Sequence, residues 1–226
     1  MFAAFTKGAA LGLVLLGTVP DAPSPPPDQQ RPTAPKAPAA PDGCRETLRA
    51  NGLRIAPWTL RPEPLQPGVV CEAPEGVFVS RGASGLRFQP AARVGCAFGL
   101  RLARFETIVQ EEAKAILGSR VRAVVQLGTY NCRRMARFPD LVSEHSFANA
   151  IDVQKFLLAN GGTVVVERDW VRADRPAASR AARFLRRLTR RLYDEQIFSV
   201  VLTPSYDHHH RNHLHLDGAA YTVDGT

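Results

Sequence analysis

SEHSFANAIDVQKFLL, the stretch at residues 143–158, decides the fold of the C-terminal half. Its second part, residues 151–158, is rich in apolar and β-branched side chains and predicts a strand. The NGG turn at residues 160–162 and a second β-rich run at residues 163–167 complete a predicted hairpin. We therefore expect this part of the chain to be organised around a strand that starts close to residue 151.

Helices and further strands flank this hairpin in the sequence. Residues 98–117 have apolar side chains at helical spacing, and Gly118 is suited to end the helix that they predict. Residues 121–127 predict a buried, valine-rich strand, and two short strands are predicted at residues 199–202 and 213–216. Together these elements predict an α+β fold, with a small antiparallel sheet and flanking helices.

Residues 177–192 predict a basic amphipathic helix. Its apolar face contains Ala181, Phe184, Leu185, Leu188 and Leu192, and the rest of its surface contains Arg180, Arg183, Arg186, Arg187, Arg190 and Arg191. The formal charge of the chain is +8, which suits an anionic partner. Nucleic acid is not expected, because the helix lacks the aromatic interleaving that stacks on bases. We expect the arginines to hold the domain against an anionic envelope polymer.

The N-terminal part of the chain predicts an export segment and a tether. Lys7 precedes an apolar run that is shorter than the about 20 residues needed to span a membrane, so residues 1–20 are expected to be a signal peptide or an N-terminal anchor. Nine of the 22 residues at positions 20–41 are proline, which predicts a disordered linker over residues 21–42. The folded domain is expected over residues 43–226, exported to the periplasm or cell envelope. It would touch the membrane only through the N-terminal anchor.

Four cysteines predict two disulfides in an exported chain; they are Cys44, Cys71, Cys96 and Cys132. Three pairings are possible, and the sequence does not choose among them. A zinc site of four thiolates is the competing interpretation. It is disfavoured because no two cysteines have the C-x2–4-C spacing of structural zinc sites.

The histidines are confined to two places in the sequence, and this clustering indicates metal binding. His145 stands alone, and the other five are His208, His209, His210, His213 and His215. Histidines that only pack in a core would not segregate in this way, and neutral imidazole is the commonest metal ligand in proteins. We expect His208 and His209 to lie on an exposed loop.

Geometry selects the candidate ligands. His145 and Asp152 are seven residues apart, which on a continuous helix would span roughly 10 Å, whereas zinc ligands lie about 2.0–2.2 Å from the ion. The chain is therefore expected to bend, with His145 on a loop or helix start and Asp152 at the strand entry. In HLHLD, residues 213–217, the alternation of period two directs His213 and His215 to one face and both leucines to the other. One histidine can coordinate while the other reaches the substrate. Asp217 either supports a histidine or is a plain turn residue.

These residues form a recognisable pattern. Ser143-x-His145-x6-Asp152 followed by His213-x-His215 resembles the zinc signature of the LAS metallopeptidases, named after lysostaphin, D-alanyl-D-alanine peptidases and sonic hedgehog. Over residues 43–219 the chain is more closely similar to the bacterial extensin-like C-terminal family. The matching motifs are Cys44-Arg45, Tyr130-Asn131-Cys132-Arg133, Ser143-Glu144-His145, Ala150-Ile151-Asp152, Trp170 and the closing HRNHLHLD at residues 210–217.

The resemblance implies a hedgehog- or DD-peptidase-like fold that binds zinc through His145, Asp152 and His215. It also implies that His213 and His210 match the additional active-site histidines of penicillin-insensitive murein endopeptidases, which share an H-x2-H-x-H motif. The implied activity is zinc-dependent hydrolysis of amide bonds in peptidoglycan stem peptides or cross-links. The alternative is a non-catalytic, zinc-stabilised cell-wall-binding module, because the hedgehog branch keeps its metal without known hydrolysis.

Further roles follow for residues around the candidate ligands. His213 would act as the general base and acid, and Arg133 would bind a peptide carboxylate or stabilise charge on the carbonyl oxygen. A surface salt bridge is the competing interpretation of Arg133. The chain departs from the LAS pattern at Ala148, where glycine is usual, and at Asn212, where a Glu-x-x-His motif would have its glutamate.

Overall fold

The computed structural model describes residues 36–226. The expected export segment and most of the expected linker lie outside these residues. Ala37 is buried and packs in a small cluster with Val69, Val142 and Phe147, so the packed chain begins before residue 43. Within the described range no helix is both long and apolar enough to cross a membrane.

The domain contains helices and strands in an irregular alternation. The helices are α1 (Cys44–Ala50), α2 (Cys96–Glu112), α3 (Val166–Asp169) and α4 (Arg180–Asp194). The strands are β1 (Arg54–Pro57), β2 (Glu63–Gln66), β3 (Val69–Cys71), β4 (Val77–Arg81), β5 (Arg87–Val94), β6 (Val121–Gln126), β7 (Ala150–Leu158), β8 (Thr163–Val165), β9 (Val200–Leu202), β10 (Leu214–Asp217) and β11 (Val223–Gly225). Two short 3-10 helices, Glu144–Phe147 and His208–His210, lie next to the candidate site.

Nine of these strands form one mixed sheet in the order β1-β4-β5-β6-β7-β10-β9-β11, and β8 also pairs with β7. Two strands pair with the same edge of β7: β10 pairs with residues 150–153, and β8 pairs with residues 155–157. The α+β prediction is confirmed. The sheet is larger than the small antiparallel one expected, and it contains two parallel pairs, β5 with β6 and β9 with β11.

Two long helices cover the core. The predicted helix over residues 98–117 is confirmed as α2 followed by a π-helical turn, and Gly118 ends it in the left-handed conformation with φ 68°. The predicted basic helix is confirmed as α4, whose Ser179 hydroxyl caps its N-terminus by accepting a hydrogen bond from the Ala182 N–H. Phe184 of α4 packs edge-on against Phe156 of β7, with ring centroids 5.2 Å apart. This contact fixes β7 against the helical layer.

The hairpin predicted after residue 150 is confirmed, with Lys155 opposite Val165 across β7 and β8. Gly161 adopts the left-handed conformation that the turn requires, with φ 88°. The second strand is shorter than expected, because it ends at Val165 and α3 follows at once. The Asp169 carboxylate accepts a hydrogen bond from the Val165 N–H, which favours the helical turn over continued pairing.

The two predicted disulfides are present, and the structure gives their pairing as Cys44–Cys96 and Cys71–Cys132. The first joins α1 to the start of α2, and the second joins β3 to the segment after β6. No free cysteine remains among the described residues. The alternative of a zinc site made of four thiolates is therefore wrong, because all four sulfur atoms are bonded in pairs.

Candidate metal centre

The predicted bend between His145 and Asp152 lies at Ala148. His145 is buried on the 3-10 helix Glu144–Phe147, which ends at Ala148 with φ 50° and ψ 35°. This left-handed conformation is uncommon for a residue with a Cβ and costs roughly 1–2 kcal/mol. The chain then enters β7 at residue 150, so Asp152 lies near the start of that strand as expected.

Three side chains meet at one point. The Nε2 atom of His145 lies 3.2 Å from Oδ2 of Asp152 and 3.3 Å from Nδ1 of His215. The Nδ1 atom of His215 lies 2.9 Å from Oδ1 of Asp152. The ligating atoms of these three residues all fall within 4.8 Å of one another, which is the spacing of a metal site.

Strand pairing brings His215 to Asp152. The two residues are directly opposite each other in the antiparallel pairing of β10 with β7. Leu214 and Leu216 are fully buried, which places them in the core as the alternation predicts. His213 lies just before β10, and its Nε2 atom is 3.5 Å from Oδ1 of Asp152. The structure therefore brings both histidines of the HLHL run to the carboxylate.

The Asp217 side chain orients His215 from behind. Its Oδ2 lies 2.8 Å from Nε2 of His215, and its Oδ1 accepts a hydrogen bond from the Ala219 N–H. A carboxylate only accepts hydrogen bonds, so Nε2 of His215 carries the proton. Nδ1 also faces a carboxylate oxygen, Oδ1 of Asp152, and carries a second proton there; a ring that has lost this proton would offer the Nδ1 lone pair to a cation. Of the two sequence interpretations of Asp217, the structure supports that of a supporting residue.

The charges of the cluster shift the pKa values of its members. Burial would raise the pKa of Asp152, but the charges and hydrogen bonds of His145 and His215 outweigh it and hold that pKa well below its usual range. Burial would lower the pKa of His215, but its hydrogen bonds to Asp152 and Asp217 raise it to about 10. A bound cation would replace the proton on Nδ1.

His213 and His210 complete a group of imidazoles around the carboxylate. Burial lowers the pKa of His213 to about 4, so its ring is neutral at neutral pH. His210 lies 5.2 Å from His213 between ring centroids, and burial lowers its pKa as well. Its Nδ1 lies 2.7 Å from Oδ1 of Asp207.

Asp207 is a residue that sequence reasoning missed. Its carboxylate caps the 3-10 helix His208–His210 by accepting a hydrogen bond from the His210 N–H, and it also contacts the imidazole. The only local signal is its spacing of three residues from His210, which is that of a helix cap. His208 and His209 are exposed on the outer side of this helix, as predicted.

Arg133 lies beside the site through its backbone. Its N–H donates to the Ser146 hydroxyl, which in turn donates to the Arg133 carbonyl, so this segment runs next to the helix that carries His145. The guanidinium donates to the Arg134 carbonyl. Within residues 36–226 it makes no hydrogen bond to the candidate ligands and no ion pair.

An acidic side chain lies on the far side of the ligands. Glu144 accepts a hydrogen bond from the Asn149 amide at 2.6 Å, and burial, with the charge of Asp217, raises its pKa to about 7. Burial and the charges of Asp217 and Glu144 also raise the pKa of Tyr221. Glu144 directly precedes His145 in the sequence, but no pattern predicts its raised pKa or the position of Tyr221 near this site.

A second group with metal-like spacing consists of Cys44, Glu75 and Cys96. It carries no metal chemistry because both cysteines form a disulfide.

The domain as a whole is similar to a known protein family. Residues 42–225 match the sequence profile described as the extensin-like protein C-terminus. The chain belongs to the extensin-like protein C-terminal family. No curated protein and no solved structure matches it. The extensin-like region includes every residue of the His and Asp cluster, so the site is part of the family domain.

Proposed function

We propose that this extensin-like domain is a zinc-dependent hydrolase that cleaves amide bonds in peptidoglycan stem peptides or cross-links. The observation that carries the proposal is the meeting of His145, Asp152 and His215, with ligating atoms 2.9–3.3 Å apart. Two atoms held at about 2.0–2.2 Å from one tetrahedral ion would be about 3.3–3.6 Å apart. The residues present therefore fit zinc with only small adjustments.

The composition of the ligand set favours a catalytic site over a purely structural one. Structural zinc sites use four protein ligands, often cysteines, whereas catalytic sites use three protein ligands and keep one position open. Among the described residues the cluster supplies two histidines and one aspartate. Asp217 completes a carboxylate–histidine arrangement of the kind that orients metal ligands.

When bound, zinc would polarise a substrate carbonyl and make water nucleophilic at neutral pH. His213 is the candidate general base. Its Nδ1 lies 2.9 Å from the Asn212 Oδ1, which accepts hydrogen bonds, so Nδ1 carries the proton and Nε2 is free to take another. Burial lowers the pKa of this ring to about 4, which keeps Nε2 unprotonated at neutral pH but makes the ring a weaker base than a free imidazole.

Once His213 has taken the proton of the water, it is also the candidate general acid that hands this proton to the leaving amine. Asp207 accepts a hydrogen bond from the Nδ1–H of His210, so Nε2 of this neutral imidazole is left as a hydrogen-bond acceptor. The ring lies 5.8 Å from His215 between centroids, so it borders the ligand set without belonging to it. Arg133 would bind a substrate carboxylate if its guanidinium turned toward the ligands from its contact with the Arg134 carbonyl.

The substrate class and compartment of the proposal rest on further observations. The Ser-x-His-x6-Asp and His-x-His motifs resemble those of LAS metallopeptidases that act on peptidoglycan, and the two disulfides suit an oxidising, exported environment. Peptidoglycan, or another anionic envelope polymer, is the proposed partner. Three arginines of α4 are already paired with carboxylates of the chain, namely Arg187, Arg190 and Arg191. The remaining cationic surface of α4 consists of Arg180, Arg183 and Arg186.

The test is digestion of isolated sacculi by the purified chain, with soluble fragments identified by mass spectrometry. We expect fragment release that stops with a chelator and resumes when zinc is restored. The variant with His145→Ala and His215→Ala is expected to release nothing. Continued release by this double variant would overturn the zinc-hydrolase proposal. Binding to sacculi without release by the wild-type, zinc-loaded chain would instead favour the alternative of a non-catalytic binding module.

A further inference from the structure

A groove opens in the sheet where β5 leaves its neighbours. β5 pairs with β6 only over Arg87–Gln89, and its pairing with β4 is interrupted between Arg87 and Ala92. Pro90 and Ala91 therefore belong to neither ladder. The Gln126 side chain donates to the Pro90 carbonyl at 3.2 Å, and the Arg93 N–H donates to the Thr129 hydroxyl at 3.0 Å. These two hydrogen bonds, which involve the Gln126 and Thr129 side chains, connect β5 to the end of β6 and the segment after it, where β5 makes no ladder pairing with β6.

This groove has a volume of about 340 Å³ and a mixed lining. Its apolar part includes Phe78, Pro90 and Leu127, and Leu127 is 50% exposed although it is a large aliphatic residue. Gln126 also lines the groove; it is only 6% exposed, and its Oε1 atom has no hydrogen-bond partner among the described residues. A buried amide oxygen is costly when it is unpaired, and a peptide N–H bound beside it is one donor that would satisfy it.

The groove adjoins backbone that is hydrogen-bonded to two candidate metal ligands. The Leu127 N–H donates to the Asp152 carbonyl, and the Asp152 N–H donates to the Gly128 carbonyl. Three residues further on, the Asn131 N–H donates to the His145 carbonyl. Leu127, Gly128 and Thr129 line the groove, and Leu127, Gly128 and Asn131 are hydrogen-bonded to the backbones of the two candidate ligands. The groove therefore adjoins the segment that packs against these ligands.

A fixed cation lines the groove. The Arg93 guanidinium sits over the Trp58 ring, 5.9 Å from its centroid, and Tyr130 packs edge-on against the same ring at 5.4 Å. Arg93 is exposed, and no carboxylate of the described chain lies within 4.0 Å of it, whereas several arginines of α4 are so paired. Because stacking on Trp58 already restricts the Arg93 side chain, this side chain loses less conformational entropy when it binds a ligand.

The geometry points to this groove as the site that binds the substrate peptide, with Arg93 holding one of its carboxylates and Leu127 and Phe78 contacting its aliphatic part. This inference rests on the proposed function for the class of substrate, a short acidic peptide with an amide bond near the carboxylate. The planar guanidinium matches a carboxylate in a two-point contact, and the apolar floor suits the aliphatic part of a stem peptide.

The test compares binding of two probes to the full chain by calorimetry, with and without a chelator. The probes are an N-acetylated stem pentapeptide with free carboxylates and the same peptide with every carboxylate amidated. We expect the wild-type chain to bind the acidic peptide about tenfold more tightly. Arg93→Ala is expected to lose this preference while binding the amidated peptide as before, and Arg93→Lys is expected to keep part of it. Leu127→Glu places a carboxylate on the groove floor. Among these variants it is expected to lower the affinity for the acidic peptide most.

Arg87→Ala is the matched control, because Arg87 lies on the same strand outside the groove and its loss changes the net charge equally. An equal loss of preference in Arg87→Ala would overturn the assignment, since it would show an effect of net charge alone. Hydrolysis of sacculi by a wild-type chain with no preference for the acidic peptide would overturn the role of Arg93 and leave the proposed activity intact. Acid-selective binding through Arg93 without any hydrolysis would support the groove and overturn the activity.

Discussion

The Nε2 atom of His215 lies 2.8 Å from Oδ2 of Asp217, two residues further along the same strand. Side chains two residues apart on a strand share a face, so β10 itself aligns the carboxylate with the ring. Asp152 lies opposite on β7 and meets the other ring nitrogen. The orientation of this candidate ligand is therefore set by a paired strand, which is more rigid than a loop.

Asp217→Asn is expected to weaken zinc binding by about 10–100-fold, as losses of such supporting groups do. Two donors approach the Asp217 carboxylate, the His215 Nε2–H and the Ala219 N–H, and asparagine offers only one oxygen. One donor would be left without a partner, and the ring would lose its fixed tautomer. Competition with a chromogenic chelator measures the affinity.

Asp224→Asn is the control for this prediction. Asp224 lies on β11, where its carboxylate pairs with Arg190 on the outside of α4. We expect its zinc affinity to equal that of the wild-type chain. If both variants weakened binding equally, net charge and not the contact with His215 would govern the affinity.

His213→Gln is expected to slow the hydrolysis of sacculi by about 10²–10⁴-fold while the zinc content stays unchanged. The ring lies within reach of Asp152 but outside the group of three ligating atoms, so its loss should remove proton transfer and not the metal. Kinetics of fragment release together with metal analysis separate the two effects. His209→Gln, on the exposed side of the adjoining 3-10 helix, should leave both unchanged. Loss of zinc from His213→Gln would show that this ring is a ligand.

The clustering of the three candidate ligands could be predicted because the signals are local. His145 and Asp152 lie seven residues apart, and the alternation of HLHL places His215 on the same face as its neighbour. By contrast, Asp207 reaches the site through a cap on a three-residue helix, which leaves no periodic pattern in the sequence. Glu144 adjoins His145 in the sequence, but the burial that raises its pKa depends on tertiary packing and could not be predicted.

The N-terminal half of the sheet was not predicted for a physical reason. β1 is mostly exposed and lacks a clear alternation of buried and exposed residues. β5 contains Pro90, which normally argues against a strand interior, and here it falls where both neighbouring ladders are interrupted. The pairing of the four cysteines also depends on the N-terminal part of the domain, because Cys71 ends β3, which pairs with β2 in a separate two-stranded sheet. Because these strands could not be predicted from the sequence, the disulfide pairing could not be predicted either.

Ala148→Gly is expected to change the free energy of unfolding by less than about 1 kcal/mol, because relief of the left-handed strain offsets the loss of one buried methyl group. Ala148→Val is expected to lower it by about 2–4 kcal/mol, since Ala148 is fully buried at φ 50° and a β-branched residue fits that conformation poorly. Urea unfolding measures both values. Equal stability of the glycine and valine variants would show that the bend does not depend on this conformation.

The two disulfides are expected to differ in their effect on the metal site although they stabilise the fold similarly. Their sequence separations, 52 residues for Cys44–Cys96 and 61 for Cys71–Cys132, are close. Loss of either bond through paired alanine substitutions should therefore cost comparable stability, up to about 4 kcal/mol in the chain-entropy account. Cys132 lies between Asn131 and Arg133, whose N–H groups bind the His145 carbonyl and the Ser146 hydroxyl, whereas Cys96 is linked to the bend only through the Gly95 N–H, which binds the Ala148 carbonyl. Zinc affinity should thus fall more for the Cys71 and Cys132 variant than for the Cys44 and Cys96 variant. Urea unfolding and chelator competition on the same samples measure the two effects, and equal losses of zinc affinity would show that the site follows overall stability.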